Sequence, residues 1–166
     1  MRYLKPNETP IEINGKVYKI KFTLDIIDEI QDKTELSIQE IMIMTTLGKY
    51  KKMAVKVLLK YLIGKNIDIK NDDLDYYSFV LIKAYINSIK FKDMQKTQKS
   101  ADTDDNIPFI DVEYWFYVGK VVLGFPSDEV WQMTIGQIRT LLQEHYKFHG
   151  LIKEDKVYNV DDVIPY

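Results

Sequence analysis

The chain has 166 residues, of which 46% are hydrophobic, a formal net charge of −2 and no cysteine. This composition indicates one compact domain and excludes disulfides and thiolate metal sites. The near-neutral total gives no overall field that attracts nucleic acid, and no apolar run approaches the roughly 20 residues of a membrane-spanning helix. Because the N-terminus does not resemble a signal peptide, we expect a protein of the cytoplasm.

The charge is distributed unevenly along the chain. Residues 1–70 contain 13 Lys and Arg against 9 Asp and Glu, whereas residues 108–166 contain 5 against 9. A molecule with a positive front and a negative back is expected to self-associate head to tail. The alternative is that this is the small charge imbalance of an ordinary surface.

The first predicted element is a β-hairpin. Apolar and polar residues alternate in "PIEI" and again, with some slippage, in "KVYKIKF", on either side of Asn14-Gly15. Asn-Gly supplies the two positive φ angles of a type I′ turn, so we predict strands at about 10–13 and 16–22. A lone hairpin is only marginally stable in water, so it must lie on other elements.

Four helices are predicted after the hairpin. The first carries Leu24, Ile27 and Ile30 on one stripe, which is the spacing of a buried helix face. Capping and breaking signals place the four helices after Thr23, after a Ser37–Glu40 capping box, over 50–63 with Gly64 at the end, and from Asp72 to about 91.

Two segments have little to bury. Residues 93–107 read "DMQKTQKSADTDDNI" and are predicted to form a mobile loop, because they contain too little apolar surface to offset the entropy of ordering. Residues 151–166 are predicted to be a polar C-terminal tail. The interpretation is therefore a single domain over 1–150 that contains the loop, with the tail after it.

A fifth helix is predicted to begin near Pro108 and to end before Gly124. It is apolar on nearly all sides, and such a helix either is central in the fold or meets a partner. One stripe consists of Val112, Trp115, Phe116, Gly119 and Val122. The other apolar positions form a candidate partner-binding surface of Tyr114, Tyr117, Val118 and Val121.

The joint "LGFPSDEVWQMT" separates this helix from the last one. Ser127 is predicted to cap a short helical turn, and a Thr134–Gln137 capping box is predicted to begin a last helix that ends at Gly150. Large rings at such a corner fix the angle between helices, so the predicted structural anchors are Trp115, Trp131, Met133 and Thr134. The elements together predict an α+β fold, mostly α, with an N-terminal β-hairpin followed by a compact bundle of five to six helices.

Two histidines on the last helix have the spacing of zinc ligands. His145 and His149 lie on one face, and Glu144 or Glu154 are possible third ligands. The zinc protease motif has Glu directly after the first His, however, and here Tyr146 follows. We therefore interpret the pair as surface histidines near a helix C-terminus, where a positive charge favours the helix dipole.

Charged rows offer little catalytic chemistry. Lys49, Lys52, Lys56 and Lys60 lie along one helix face, flanked by Lys51. We interpret them as a solvated face, and the alternative is binding to a phosphate backbone or to an anionic membrane surface. The carboxylates Asp25, Asp28, Glu29 and Asp32 share one helix, whereas a catalytic pair needs two environments with different pKa values. We therefore expect no catalytic residue, no cofactor and no resident metal.

Two stretches of the chain resemble one protein family. "LGFPSDEVWQMTIGQIRTLLQEHYKF" and "IEINGKVYKIKFTLDIIDEIQDKTELSIQEIM" are similar to the ends of tail assembly chaperones from long-tailed, siphovirus-like bacteriophages or prophages. The resemblance covers about 60 residues and excludes the middle, 50–107. It implies a non-enzymatic protein of the bacterial host cytoplasm that binds the tape-measure protein, recruits tail-tube subunits and leaves before the virion is complete.

Two other classes of protein remain open. One is a structural virion or head–tail joining protein, which would stay in the finished particle. The other is a small nucleic-acid-binding module that uses the lysine row, and phosphate contacts of that kind weaken steeply with salt.

Overall fold

The computed structural model describes residues 8–90 and 110–151 of the chain. Within them an N-terminal hairpin precedes seven α-helices, which confirms the predicted α+β, mostly α class. The number of helices exceeds the predicted five to six because the short helical turn predicted after Pro126 forms a helix of its own. The elements are β1 (Thr9–Ile13), β2 (Lys16–Ile20), α1 (Leu24–Thr34), α2 (Ile38–Met44), α3 (Lys51–Ile63), a 3-10 turn (Asn71–Asp73), α4 (Leu74–Ile89), α5 (Val112–Tyr117), a π turn (Val118–Val122), α6 (Ser127–Gln132) and α7 (Ile135–Phe148).

The hairpin forms around the Asn-Gly turn as predicted. Asn14 and Gly15 have φ angles of 51° and 74°, which are those of a type I′ turn, and Ile13 pairs with Lys16 beside it. The outer edge of β1 is protected: Pro10 has no N–H group, and the Glu12 N–H donates to the Tyr76 hydroxyl at 3.1 Å. The hairpin therefore lies on α4, as its marginal intrinsic stability requires.

The helix ends follow local sequence signals closely. The Ser37–Glu40 capping box is present, with the Glu40 N–H donating to Ser37 Oγ at 3.2 Å and the Ser37 N–H donating to Glu40 Oε2 at 2.8 Å. Gly64 ends α3 with a φ of 76°. Thr23 begins α1 without a side-chain cap, because its hydroxyl donates instead to the Asp25 carboxylate.

Hydrogen bonds join the start of α1 to distant parts of the chain. The Leu24 N–H donates to the Met133 carbonyl at 3.0 Å beside a backbone bridge between Thr23 and Thr134. Two residues before Leu24, the buried Phe22 N–H donates to Ser88 Oγ in α4 at 2.9 Å. The start of α1 is therefore held by both α4 and the α6–α7 joint.

The start of α5 differs from the prediction. The helix begins at Val112 rather than near Pro108, because Asp111 caps it by accepting a 2.9 Å hydrogen bond from the Tyr114 N–H. Pro108, the predicted mobile loop 93–107 and the tail 152–166 lie outside the described residues. Ser127 is also not the cap of α6: it is the first helical residue, and Pro126 occupies the capping position.

Candidate partner-binding surface

The predicted partner-binding residues lie on α5 and on the π turn that continues it. The Leu123 N–H donates to the Val118 carbonyl at 3.0 Å, and the Phe125 N–H donates to the Gly119 carbonyl at 3.1 Å. This wider turn places Gly119 directly against α6, where an added Cβ would lie 2.7 Å from Val130 Cγ1. Such turns are rare and often occur at functional sites.

An aromatic stack joins α5 to α6. The rings of Phe116 and Trp131 lie 4.5 Å apart at 28°. Trp115 contacts the Tyr114 ring edge-on at 5.1 Å, and the Arg139 guanidinium lies 5.9 Å from the Trp115 ring. Partial burial of that guanidinium lowers the pKa of Arg139, whose ordinary value is high enough that it stays charged.

Three of the four predicted surface residues are exposed. Tyr114, Tyr117 and Val121 are 50%, 55% and 59% exposed, and their spacing of three and four residues places them in one row. We term these three side chains the α5 row. Val118 does not belong to it: this residue is buried, because α7 packs against the π turn that Val118 opens.

The predicted anchors are buried to different extents. Trp115, Trp131 and Met133 are partly buried against the core. Thr134 is buried and forms the predicted capping box, accepting a 3.3 Å hydrogen bond from the Gln137 N–H. Their role in fixing the angle between helices stays a prediction.

A second exposed apolar surface was not predicted. Ile43, Leu47, Tyr50 and Met53 are between 42% and 53% exposed around the connection from α2 to α3. We term them the α2–α3 corner. Sequence reasoning missed it because α2 ends at Met44 and α3 begins at Lys51, so the spacing of three and four residues crosses a turn and does not by itself place the four side chains on one face. The available signal was composition, since 41–67 contains six lysines and no Asp or Glu.

The lysine row borders this corner. Lys49, Lys52, Lys56 and Lys60 are exposed, and the opposite face of α3 is buried, as predicted. Two of the lysines on α3 already have partners: Lys51 pairs with Asp75 at 2.5 Å, and Lys52 Nζ donates to Asn71 Oδ1 at 2.9 Å. The Lys49 ammonium lies 5.3 Å from the Tyr50 ring.

The candidate metal ligands do not converge. The rings of His145 and His149 lie 4.4 Å apart, but within 8–90 and 110–151 no group of three His, Asp or Glu side chains could hold a metal ion. Glu154 lies outside the described residues. Of the carboxylate row on α1, Asp25 accepts a 2.7 Å hydrogen bond from the Gln132 side chain, so it ties α1 to α6.

One surface cleft lies away from all these residues. It has a volume of about 340 Å³ between the hairpin turn and residues 65–68. The Lys65 ammonium donates to the Tyr18 hydroxyl at 2.6 Å there and lowers the pKa of Tyr18.

The described helices include none that is both long and apolar enough to cross a membrane. Comparisons of the chain with protein-family models, with curated proteins and with solved structures find no match.

Proposed function

We propose that this protein is a non-enzymatic tail assembly chaperone of a long-tailed bacteriophage or prophage, acting in the host cytoplasm. The observation that supports it most is the α5 row, which exposes two tyrosines and a valine on a helix supported by the Phe116–Trp131 stack. The resemblance of both ends of the chain to such chaperones gives the class of partner, the tape-measure protein, together with tail-tube subunits.

The physical basis is recognition between helices. Tyrosine offers a large, rigid contact area with a polar end, so exposed tyrosines suit an interface that must also tolerate water. An amphipathic segment of the partner would lay its apolar stripe on the α5 row. Each contact is weak, and many copies along one elongated partner supply avidity, helped by self-association of the chaperone.

The test is co-expression with the tape-measure protein from the same genome. We expect the chain to keep that protein soluble and to copurify with it, and the double variant Tyr117→Glu/Val121→Glu to lose the complex. The matched control is Phe79→Glu/Ile86→Glu, which changes two comparably exposed apolar residues on α4. Equal binding by both double variants would contradict the α5 row as the contact, and an insoluble tape-measure protein in every case would contradict the chaperone proposal.

Two further measurements separate the remaining classes of protein. Mass spectrometry of purified virions should find no copies of this chain, whereas a structural or head–tail joining protein would be present. A salt titration of DNA binding addresses the nucleic-acid alternative, because binding through phosphate contacts weakens steeply as salt rises.

A further inference from the structure

The α2–α3 corner combines exposed apolar side chains with an excess of positive charge. Leu47 and Met53 are 47% and 53% exposed, and the exposed lysines Lys49, Lys52 and Lys56 lie in the same segment, whereas Lys51 is paired with Asp75. A surface of this kind fits a segment that is both apolar and acidic, because apolar contact supplies affinity and opposite charge supplies orientation.

The C-terminal tail of the same chain has that chemistry. Residues 152–166 read "IKEDKVYNVDDVIPY" and contain four Asp and Glu against two Lys. Large apolar residues lie between the charges and are Ile152, Val157, Tyr158, Val160, Val163, Ile164 and Tyr166. The tail therefore has apolar groups that can contact those of the corner, and a negative charge that is complementary to its lysines.

The other exposed apolar surfaces match the tail less well. Asp111 and Glu113 lie beside the α5 row, where Lys120 is the neighbouring lysine, and Phe79 lies between Asp75 and Lys83 along α4. These surfaces therefore have no excess of positive charge to attract the acidic tail. The excess of lysine at the α2–α3 corner favours that surface.

The tail is long enough to reach the corner from its own molecule. Leu151, the last described residue, is 69% exposed, so the tail begins at the surface. Fifteen residues span up to about 50 Å, which exceeds three times the radius of gyration of about 15 Å expected for a domain of this size.

We propose that residues 152–166 bind the α2–α3 corner of the same molecule. The apolar residues of the tail contact Leu47, Tyr50 and Met53, and its carboxylates lie among Lys49, Lys52 and Lys56. This assigns a role to the lysine row and does not depend on the proposed function, since it concerns a different face from the α5 row.

The test uses the full chain and the absence of natural cysteines. Val163→Cys provides a single site for a nitroxide label, and amide signals near the label lose intensity in NMR spectra. We expect the Leu47 and Tyr50 signals to weaken and the Tyr117 and Phe79 signals to remain. Met53→Glu should lower the docked population about tenfold, because it places a charge of the same sign as the tail in the contact.

Phe79→Glu is the matched control, since Phe79 is 67% exposed and lies on α4. It should leave the weakening at Leu47 unchanged, and Asp161→Lys/Asp162→Lys should reduce it. Weakening at Tyr117 instead of Leu47, or equal weakening with Met53→Glu, would overturn the proposal. A mixture of nitroxide-labelled chains with isotope-enriched chains that carry no nitroxide detects contact between two molecules. Weakening that appears only in this mixture would also overturn the proposal, because the occupant would then be the tail of a second copy.

Discussion

At the scale of single residues, Gly136 is the position where a side chain is least tolerated. A Cβ on Gly136 would lie 2.1 Å from the Lys90 carbonyl oxygen and 3.0 Å from that of Ser88, and backbone atoms cannot rotate away. We expect Gly136→Ala to lower the free energy of unfolding by about 1–3 kcal/mol, as overpacking usually does. Gly48→Ala is the control, because no atom lies within 4 Å of its added Cβ. Urea titration compares the two, and equal effects would contradict the close contact between α7 and α4.

Tyr85 is a buried tyrosine whose pKa is raised. Its ring contacts Phe22 edge-on at 5.7 Å, and within the described residues nothing hydrogen-bonds its buried hydroxyl. Burial raises the pKa of Tyr85 to about 12, because the charged phenolate is disfavoured in the core.

The raised pKa predicts sensitivity to alkali. The folded state holds the Tyr85 proton more tightly than the unfolded state, so its contribution to stability is complete below about pH 10, the ordinary tyrosine value, and is lost as pH rises toward 12. Tyr85→Phe should be neutral or slightly stabilising at pH 7 and should reduce the loss between pH 10 and 12. Thermal unfolding at several pH values across this range measures the loss of stability. If Tyr85→Phe loses as much stability between pH 10 and 12 as the unmodified protein, other groups cause the loss.

At the scale of secondary-structure elements, the helix caps allow a direct comparison of two serines. Ser37 accepts a hydrogen bond from the Glu40 N–H at the start of α2, whereas Ser127 is inside α6 and does not cap it. Ser37→Ala should therefore cost about 1 kcal/mol of unfolding free energy, the usual value for a lost N-cap. Ser127→Ala should change it by less than about 0.5 kcal/mol. A loss of about 1 kcal/mol with Ser127→Ala would indicate that Ser127 caps α6, as the sequence predicted.

Much of the element pattern could be predicted because local signals and tertiary packing agree. The stripe of Leu24, Ile27 and Ile30 is buried, and Gly15 and Gly64 have the positive φ angles that their positions predicted. Such signals act over two to four residues, so they are present in the sequence itself.

The parts that failed depend on distant neighbours. Val118 looked exposed on an ideal helix, but the π turn and the approach of α7 bury it. The start of α5 is an exception, because it depends on a local signal that was not recognised, the cap that Asp111 provides to the Tyr114 N–H. The α2–α3 corner is formed by side chains from two helices, and only the fold shows that they are exposed together.

At the scale of the whole molecule, long-range hydrogen bonds join the segment that leads into α1 to α4 and to the α6–α7 joint. Ser88 Oγ accepts from the Phe22 N–H, and the neighbouring Leu24 N–H donates to the Met133 carbonyl. Because α1 contacts both α3 and α6, loosening this crossing should affect the hairpin side and the α6–α7 side together. The domain should consequently unfold in one cooperative step.

Replacing Ser88 tests this coupling. Ser88→Ala leaves the buried Phe22 N–H without its partner, which should cost about 1–3 kcal/mol of unfolding free energy. Ser78→Ala is a matched control, because Ser78 is also buried on α4 but, in the part of the chain described, its hydroxyl has no partner. Removing that hydroxyl should be neutral or slightly stabilising. Hydrogen exchange followed along the chain should show equal losses of protection in α1 and α7 for Ser88→Ala. Loss confined to the hairpin and α1 would show instead that the C-terminal helices unfold separately.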